Sequence, residues 1–344
     1  MVHRPYTFAI VVATGVCAVT LFAAVLLDLP VRDPDGIAGP SYLRLPGIIA
    51  IFLLLDVVPR ACKRAAGLRD VGHAARDVIR EQWSPGRVKL VLIGLLSFYV
   101  SYVAYRNLKG FLPFVRDGLA DERLARLDSA VMLGNDPAAV LHSLLGTGQA
   151  AHFLSWVYIS YLLFVPLSLA AAVVWNRNVL RGFWYVTALC INWVVGAASY
   201  YLLPSLGPIF AYPENFTALP MTEVGSLQQS LANTRIDVLA DPLASSTIQG
   251  IAGFASLHVS VVFTAALIAH RLGLPALLRR ALWVYLGLTI VSTVYFGWHY
   301  LIDDVAGLAI GWFAAWLAAM TTGNADASLV SESESEAAAV PSRT

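Results

Sequence analysis

Apolar runs of about 20 residues, broken by polar connectors, recur along the whole chain. Each is long enough to cross a bilayer as a helix. The pattern predicts eight spans, at 7–28, 41–58, 88–106, 152–175, 183–203, 254–270, 281–297 and 299–320. Backbone in lipid must be satisfied internally, and uninterrupted runs of this length do so as helices. The predicted class is an all-α polytopic membrane protein with about eight transmembrane helices. The first run is too long for a signal-peptide core and no A-x-A site closes it, so it is read as a retained span.

Two connectors are long. Residues 107–151 contain "DERLARLDSAVMLGNDPAAVLHSLLG", whose patchy helical period predicts one or two interfacial helices. Residues 204–253 open on "PSLGPIFAYPENF", and their Pro and Gly density predicts turns rather than another span. The end of the chain, "SESESEAAAVPSRT", is polar and is read as disordered. These boundaries divide the chain into a two-span region with a basic connector (1–87), a membrane domain (88–320) in which any chemistry is expected, and a polar tail (321–344).

Composition agrees with the membrane reading. The chain is 58% hydrophobic and 13% charged, and its net charge of +1 leaves no electrostatic footprint for nucleic acid. Cys17, Cys62 and Cys190 show neither metal-like nor disulfide-like spacing. The basic residues are nearly all arginine, a bias typical of a GC-rich bacterial genome.

Charge placement sets an orientation. Arg60, Lys63, Arg64, Arg69, Arg76, Arg80 and Arg87 follow span 2. Arg177 with Arg181, and Arg271 with Arg279 and Arg280, sit in short connectors. With Arg4, all fall on one side if eight spans alternate, and the positive-inside rule makes that side cytoplasmic. Both termini are then inside. The expected location is a bacterial plasma membrane, with both long connectors outside.

Against this background, "STVYFGWHYLIDD" at 292–304 stands out. Ionisable groups are costly in a bilayer and usually functional there. His299 opens span 8, and Asp303 lies four residues on, on the same helical face. His258, in "GIAGFASLHVS", opens span 6 at the same outer end. Asp303 can accept a hydrogen bond from one ring nitrogen of His299 and leave the other free to attack. His258 can protonate a leaving oxygen. Ser256 and the amides at the start of span 6 can hold an anion. Together these groups describe phosphoryl transfer through a phosphohistidine, with His299, Asp303 and His258 as the catalytic set.

"ASLH", followed some thirty residues later by "STVYFGWHYLID", is similar to the second and third signatures of the type 2 phosphatidic acid phosphatase superfamily. Those are usually written PSGH and SRxxxxxHxxxD. Ala255 replaces the usual proline, and Thr293 stands where an arginine is expected. No clear KxxxxxxRP signature precedes them. These departures, with "AYRNLKGFLP" at 104–113, "LDSAVMLGNDP" at 127–137 and "YYLLPSLGP" at 200–208, resemble the inositol phosphorylceramide synthase branch, the aureobasidin-sensitive transferases and their bacterial relatives.

The resemblance implies a phosphatidic acid phosphatase-like helical bundle that moves a phospho-alcohol head group. It implies a phospholipid donor such as phosphatidylinositol, a lipid or glycan acceptor, and no cofactor. It casts His299 as nucleophile, Asp303 as its orienter, His258 as acid and base, and Ser256 as a phosphate contact. Phosphate needs cationic or N–H partners. Arg106 and Lys109 are the candidates to replace the missing arginine, with Arg235 next.

Other readings compete. A phosphatase acting on phosphatidic acid or polyprenyl phosphates uses the same residues with water as acceptor. His258, His299, Asp303 and Asp304 could instead bind a divalent ion, or the His–Asp pair could relay protons in a transporter. The bland alternatives are simple. In these, Ser256 only caps span 6, and Arg106 and Lys109 only snorkel to head groups. Asp304 is read as a solvated neighbour, Asp128 and Asp136 as caps of interfacial helices, and His142 and His152 as interfacial. Trp83, Trp156 and Trp298 are read as belt residues.

Overall fold

The computed structural model describes residues 5–34, 41–176 and 178–325. Arg4, Arg177 and the tail from 326 onward, used in the readings above, lie outside the described residues. Among those described there is no strand. The helices are α1 (Thr7–Leu27), α2 (Ser41–Arg64), α3 (Val71–Gln82), α4 (Pro85–Phe111), α5 (Asp121–Val131), α6 (Pro137–Leu145) and α7 (Gln149–Ala170). They continue as α8 (Val179–Leu202), α9 (Pro208–Ala211), α10 (Glu223–Ala240), α11 (Leu257–Arg271), α12 (Ala276–Tyr295) and α13 (Leu301–Thr322).

Six of these, α1, α4, α7, α8, α12 and α13, are long and apolar enough to cross a membrane. The two other expected spans are helical but fall short. α2 carries Pro46 and Pro59 and closes on Lys63 and Arg64. α11 has only 15 residues, about 22 Å at 1.5 Å per residue, against a hydrocarbon core of about 30 Å. The expected start at 254 does not hold, because Ser256 is non-helical and its N–H is tied to the Asp303 carbonyl at 3.0 Å.

α8 lies at the centre, packed on α4, α11 and α13, while α1 covers α4 and α8. α12 bridges α11 and α7. Close approach of α11 to α13 depends on Gly311, where an added Cβ would lie 2.6 Å from the Ser260 carbonyl oxygen. Small residues at four-residue spacing (Gly307, Gly311, Ala315) make this possible in the absence of a hydrophobic drive between spans. Inside the bundle, Asn192 donates to Thr264 at 3.0 Å and accepts from the Ser260 hydroxyl. Large apolar side chains on the outside, such as Phe22, Val25, Leu163 and Trp312, are exposed, as a lipid-facing surface requires.

The long connectors are more ordered than their composition suggests. The first forms α5 and α6, the predicted short helices. The second contains α10, an 18-residue helix where turns were expected. Thr222 caps it, accepting from the Gly225 N–H at 3.3 Å. α10 is not among the membrane-spanning candidates. It packs on α7 and contributes Val224 to a second apolar core with Tyr158, Tyr295 and Trp298.

Chain direction places the chemistry. The C-terminal ends of α4, α8 and α12 and the N-terminal ends of α7, α11 and α13 share one end of the bundle. Arg87, Arg181, Arg271 and Arg279 mark the opposite end.

Candidate active site

Three loops meet at the α5–α10 end. The 204–207 loop runs from α8 into α9, the 249–256 loop precedes α11, and the 296–300 turn joins α12 to α13. Backbone bonds link them: Gly253 N–H to the Ser205 carbonyl at 2.8 Å, Ile209 N–H to the Gly297 carbonyl at 2.9 Å, and Ser256 N–H to the Asp303 carbonyl at 3.0 Å. The Ser205 hydroxyl accepts the Phe254 N–H at 2.9 Å.

The two histidines meet here. His258 Nδ1 lies 3.2 Å from His299 Nε2. His299 Nδ1 faces Asp303 Oδ2 at 3.5 Å, an ion-pair separation rather than a formed hydrogen bond. His299 sits in the turn before α13, not on the helix as the i, i+4 argument assumed, yet the turn still delivers it to Asp303. Asp303 Oδ2 is held by the Tyr300 N–H at 3.0 Å. Its Oδ1 and the His299 Nδ1 are buried without a hydrogen-bond partner.

Both rings open on a cavity of about 380 Å³. Its walls include Tyr105, Tyr158, Tyr161, Trp193, Tyr200 and Trp298, with Arg106 and Lys109 from α4. Among the described residues, no carboxylate lines it. Lys109 Nζ lies 4.9 Å from the Tyr200 ring centroid, a cation–π contact. Arg106 Nε is buried and unpartnered. Arg235 does not line the cavity. It donates to Gln249 Oε1 at 3.3 Å, and Gln249 Nε2 donates to the Lys109 carbonyl at 2.7 Å. Burial lowers the Arg235 pKa from its ordinary value.

Ser256 is fully buried, caps α11 through the Val259 N–H at 3.4 Å, and does not line the cavity. The first turn of α11 reaches the cavity through Leu257 and His258 instead. Asp304 is not solvated: it is 1% exposed and accepts the Thr293 hydroxyl at 2.9 Å. Packing of α13 on α8 and α11 turns that side chain inward. Thr293, where an arginine was expected, therefore faces Asp304 rather than the cavity. Among the described residues, no group of three or more His, Cys, Asp or Glu is arranged to hold a metal ion.

Trp298 is not a belt residue either. It is 8% exposed and stacks on Tyr158 at 5.1 Å and 4°. Tyr158 and Tyr161 also flank His258, at 4.8 and 4.4 Å between ring centroids. These aromatics escaped the sequence reading because span-end aromatics are so often interfacial. Trp156, 71% exposed, keeps its belt reading. His142 is engaged with the Tyr295 carbonyl at 2.8 Å, and Asp136 caps α6 through the Ala139 N–H at 2.9 Å.

Asp128 caps a different helix from the one expected. Its two oxygens accept the Leu301 and Ile302 N–H groups of α13 at 2.7 and 2.9 Å. Burial raises its pKa, and the two amide bonds oppose that shift. Asp121 was missed. It accepts the Leu206 and Gly207 N–H groups at 3.0 Å each and the Tyr300 hydroxyl at 3.1 Å. The available signal was its seven-residue spacing from Asp128, two turns on one helical face.

The pattern of the PAP2 superfamily matches residues 122–317. That is more than half of the chain, and the chain belongs to this superfamily. Membership points to phosphatase or phosphotransferase chemistry at a membrane. No curated protein and no solved structure matches the chain.

Proposed function

We propose that this protein is a membrane phosphotransferase that moves a phospho-alcohol head group, phosphoinositol in the reading favoured here, from a phospholipid to a lipid or glycan hydroxyl. The observation that carries the reading is the His258–His299 contact at 3.2 Å, opening on a cavity that Arg106 and Lys109 line and, among the described residues, no carboxylate does. His299 Nε2 attacks phosphorus, and the bond from phosphorus to the diacylglycerol oxygen breaks. His258 gives its proton to that oxygen. In the second half, His258 takes the acceptor hydroxyl proton, the acceptor oxygen attacks phosphorus, and the P–N bond breaks. Asp303 favours the positive charge that develops on the His299 ring. Arg106 and Lys109 supply charge to the phosphoryl oxygens.

The two rings, in contact here, must part to admit a phosphoryl group, so substrate replaces their mutual hydrogen bond. The placement of Thr293 against Asp304 supports a diester donor. A phosphodiester carries one negative charge and a monoester nearly two, so a cavity without the expected arginine discriminates less in favour of the dianion. By the positive-inside rule, the site faces the extracytoplasmic side of a bacterial plasma membrane and both termini are cytoplasmic.

The test is to incubate the purified protein in nanodiscs with head-group-labelled phosphatidylinositol or labelled phosphatidic acid, with and without a lipid-hydroxyl acceptor. The expected result is a higher kcat/KM for the diester and label appearing on the acceptor. A clear preference for the monoester, with free phosphate as product, would establish the phosphatase reading instead.

A further inference from the structure

The N-cap residue of α13 is Tyr300, which is not a capping type. The first amides of any helix need partners, and here they are supplied by another helix. Asp128 on α5 takes both the Leu301 and Ile302 N–H groups. Two turns earlier on α5, Asp121 takes the Leu206 and Gly207 amides and the Tyr300 hydroxyl. Both carboxylates are nearly inaccessible, at 6% and 4% exposure. They therefore grip the two loops that frame His299. Tyr300 connects the grip to the chemistry, because its own N–H holds Asp303 Oδ2.

We infer that Asp121 and Asp128 are positioning residues for the His299–Asp303 pair, so that α5 sets the aim of the nucleophile without touching substrate. This rests on the catalytic reading of His299. The physical reason is local. Residues 299 and 300 lie outside any helix, and an unanchored turn would leave the imidazole free to swing. A misplacement of about 1 Å from near-attack geometry can cost on the order of 10²-fold in rate. Ordinary surface helices need no such buried carboxylates, and Asp136 on the neighbouring α6 caps only its own helix.

The test uses the full-length protein in nanodiscs, with the imidazoles labelled with nitrogen-15. Asp128→Asn keeps one acceptor oxygen but turns an N–H₂ group toward the second amide. Its expected effect is a roughly ten- to hundredfold fall in kcat with little change in KM, together with a shift of the His299 ring signals. Tyr300→Phe, which removes only the hydroxyl bonded to Asp121, should give a smaller fall of the same kind. It also serves if Asp128→Asn does not fold. Asp136→Ala removes a cap of similar strength from α6 and should leave kcat and the ring signals unchanged. If Asp136→Ala lowers kcat as much as Asp128→Asn does, general loosening explains the effect and the positioning role is overturned. Unchanged kcat and unchanged ring signals in Asp128→Asn and Tyr300→Phe overturn it as well. His299→Ala keeps the two readings apart. Full turnover in that variant sinks the catalytic reading, whereas loss of turnover there with silent Asp128 and Tyr300 variants sinks the positioning role alone.

Discussion

Replacing Asp303 by Asn removes one charge and almost nothing else. Asn keeps an oxygen that can accept the Tyr300 N–H, the bond that anchors this side chain at 3.0 Å, so the turn into α13 should survive. What is lost is the anion 3.5 Å from His299 Nδ1. In the proposed reaction His299 Nε2 becomes bonded to phosphorus, and its ring then takes on a unit positive charge. At an effective dielectric of about 20, two unit charges at that separation attract by roughly 5 kcal/mol. Each 1.4 kcal/mol is about tenfold in rate, so kcat should fall by roughly three to four decades. This agrees with the loss of about 10⁴ seen when the orienting carboxylate of a serine-protease triad becomes an amide. KM should change little, because the charge develops only along the reaction. The assay is single-turnover transfer from a fluorescent phospholipid in nanodiscs, with acid-labile phosphoenzyme measured in parallel. A folded Asp303→Asn protein within tenfold of the parent rate would show that no imidazolium forms beside Asp303. The mechanism would then need a different nucleophile.

Three further outcomes follow from the same geometry. His299→Ala should abolish both turnover and phosphoenzyme in a protein that elutes and melts normally, and near-normal transfer would remove His299 from its role. In a cysteine-free background, Asn215→Cys, exposed in the loop after α9, should react with an impermeant thiol reagent in intact cells, while Gly67→Cys should not. The reverse pattern would turn the topology over. Arg106→Gln or Lys109→Gln should lower kcat/KM for a phospholipid donor at least tenfold at one of the two positions. If neither responds, Arg235, held on Gln249, is the next cation to replace.

Much of this protein is present in its linear pattern. Runs of about 20 apolar residues have only one stable form in lipid, so helices and their order follow without tertiary information. The alternation of those helices also brings His258 and His299 to one end, because each lies at the border of an apolar run. A four-residue offset brought Asp303 to the same histidine, even though His299 proved to sit in a turn. The motif spacing led to the superfamily for a related reason: the bond-making residues must recur in a fixed local geometry.

What depended on tertiary structure are contacts between residues far apart in the chain. Asp304 and Asp303 are chemically alike and adjacent. Only the packing of α13 on α8 and α11 decides that one meets a histidine and the other a threonine hydroxyl. Trp298 and Trp156 both end apolar runs. One is stacked over the cavity by Tyr158, 140 residues earlier, and the other faces outward. Asp128 reads as a local cap because sequence shows only near neighbours, yet its partners are amides 173 and 174 residues away. Hydrophobic periodicity reports which face of a segment is buried, not which segment covers it. The cap of α13, the walls of the cavity and the bonds from α5 to the turn before α13 therefore exist only once the bundle has closed.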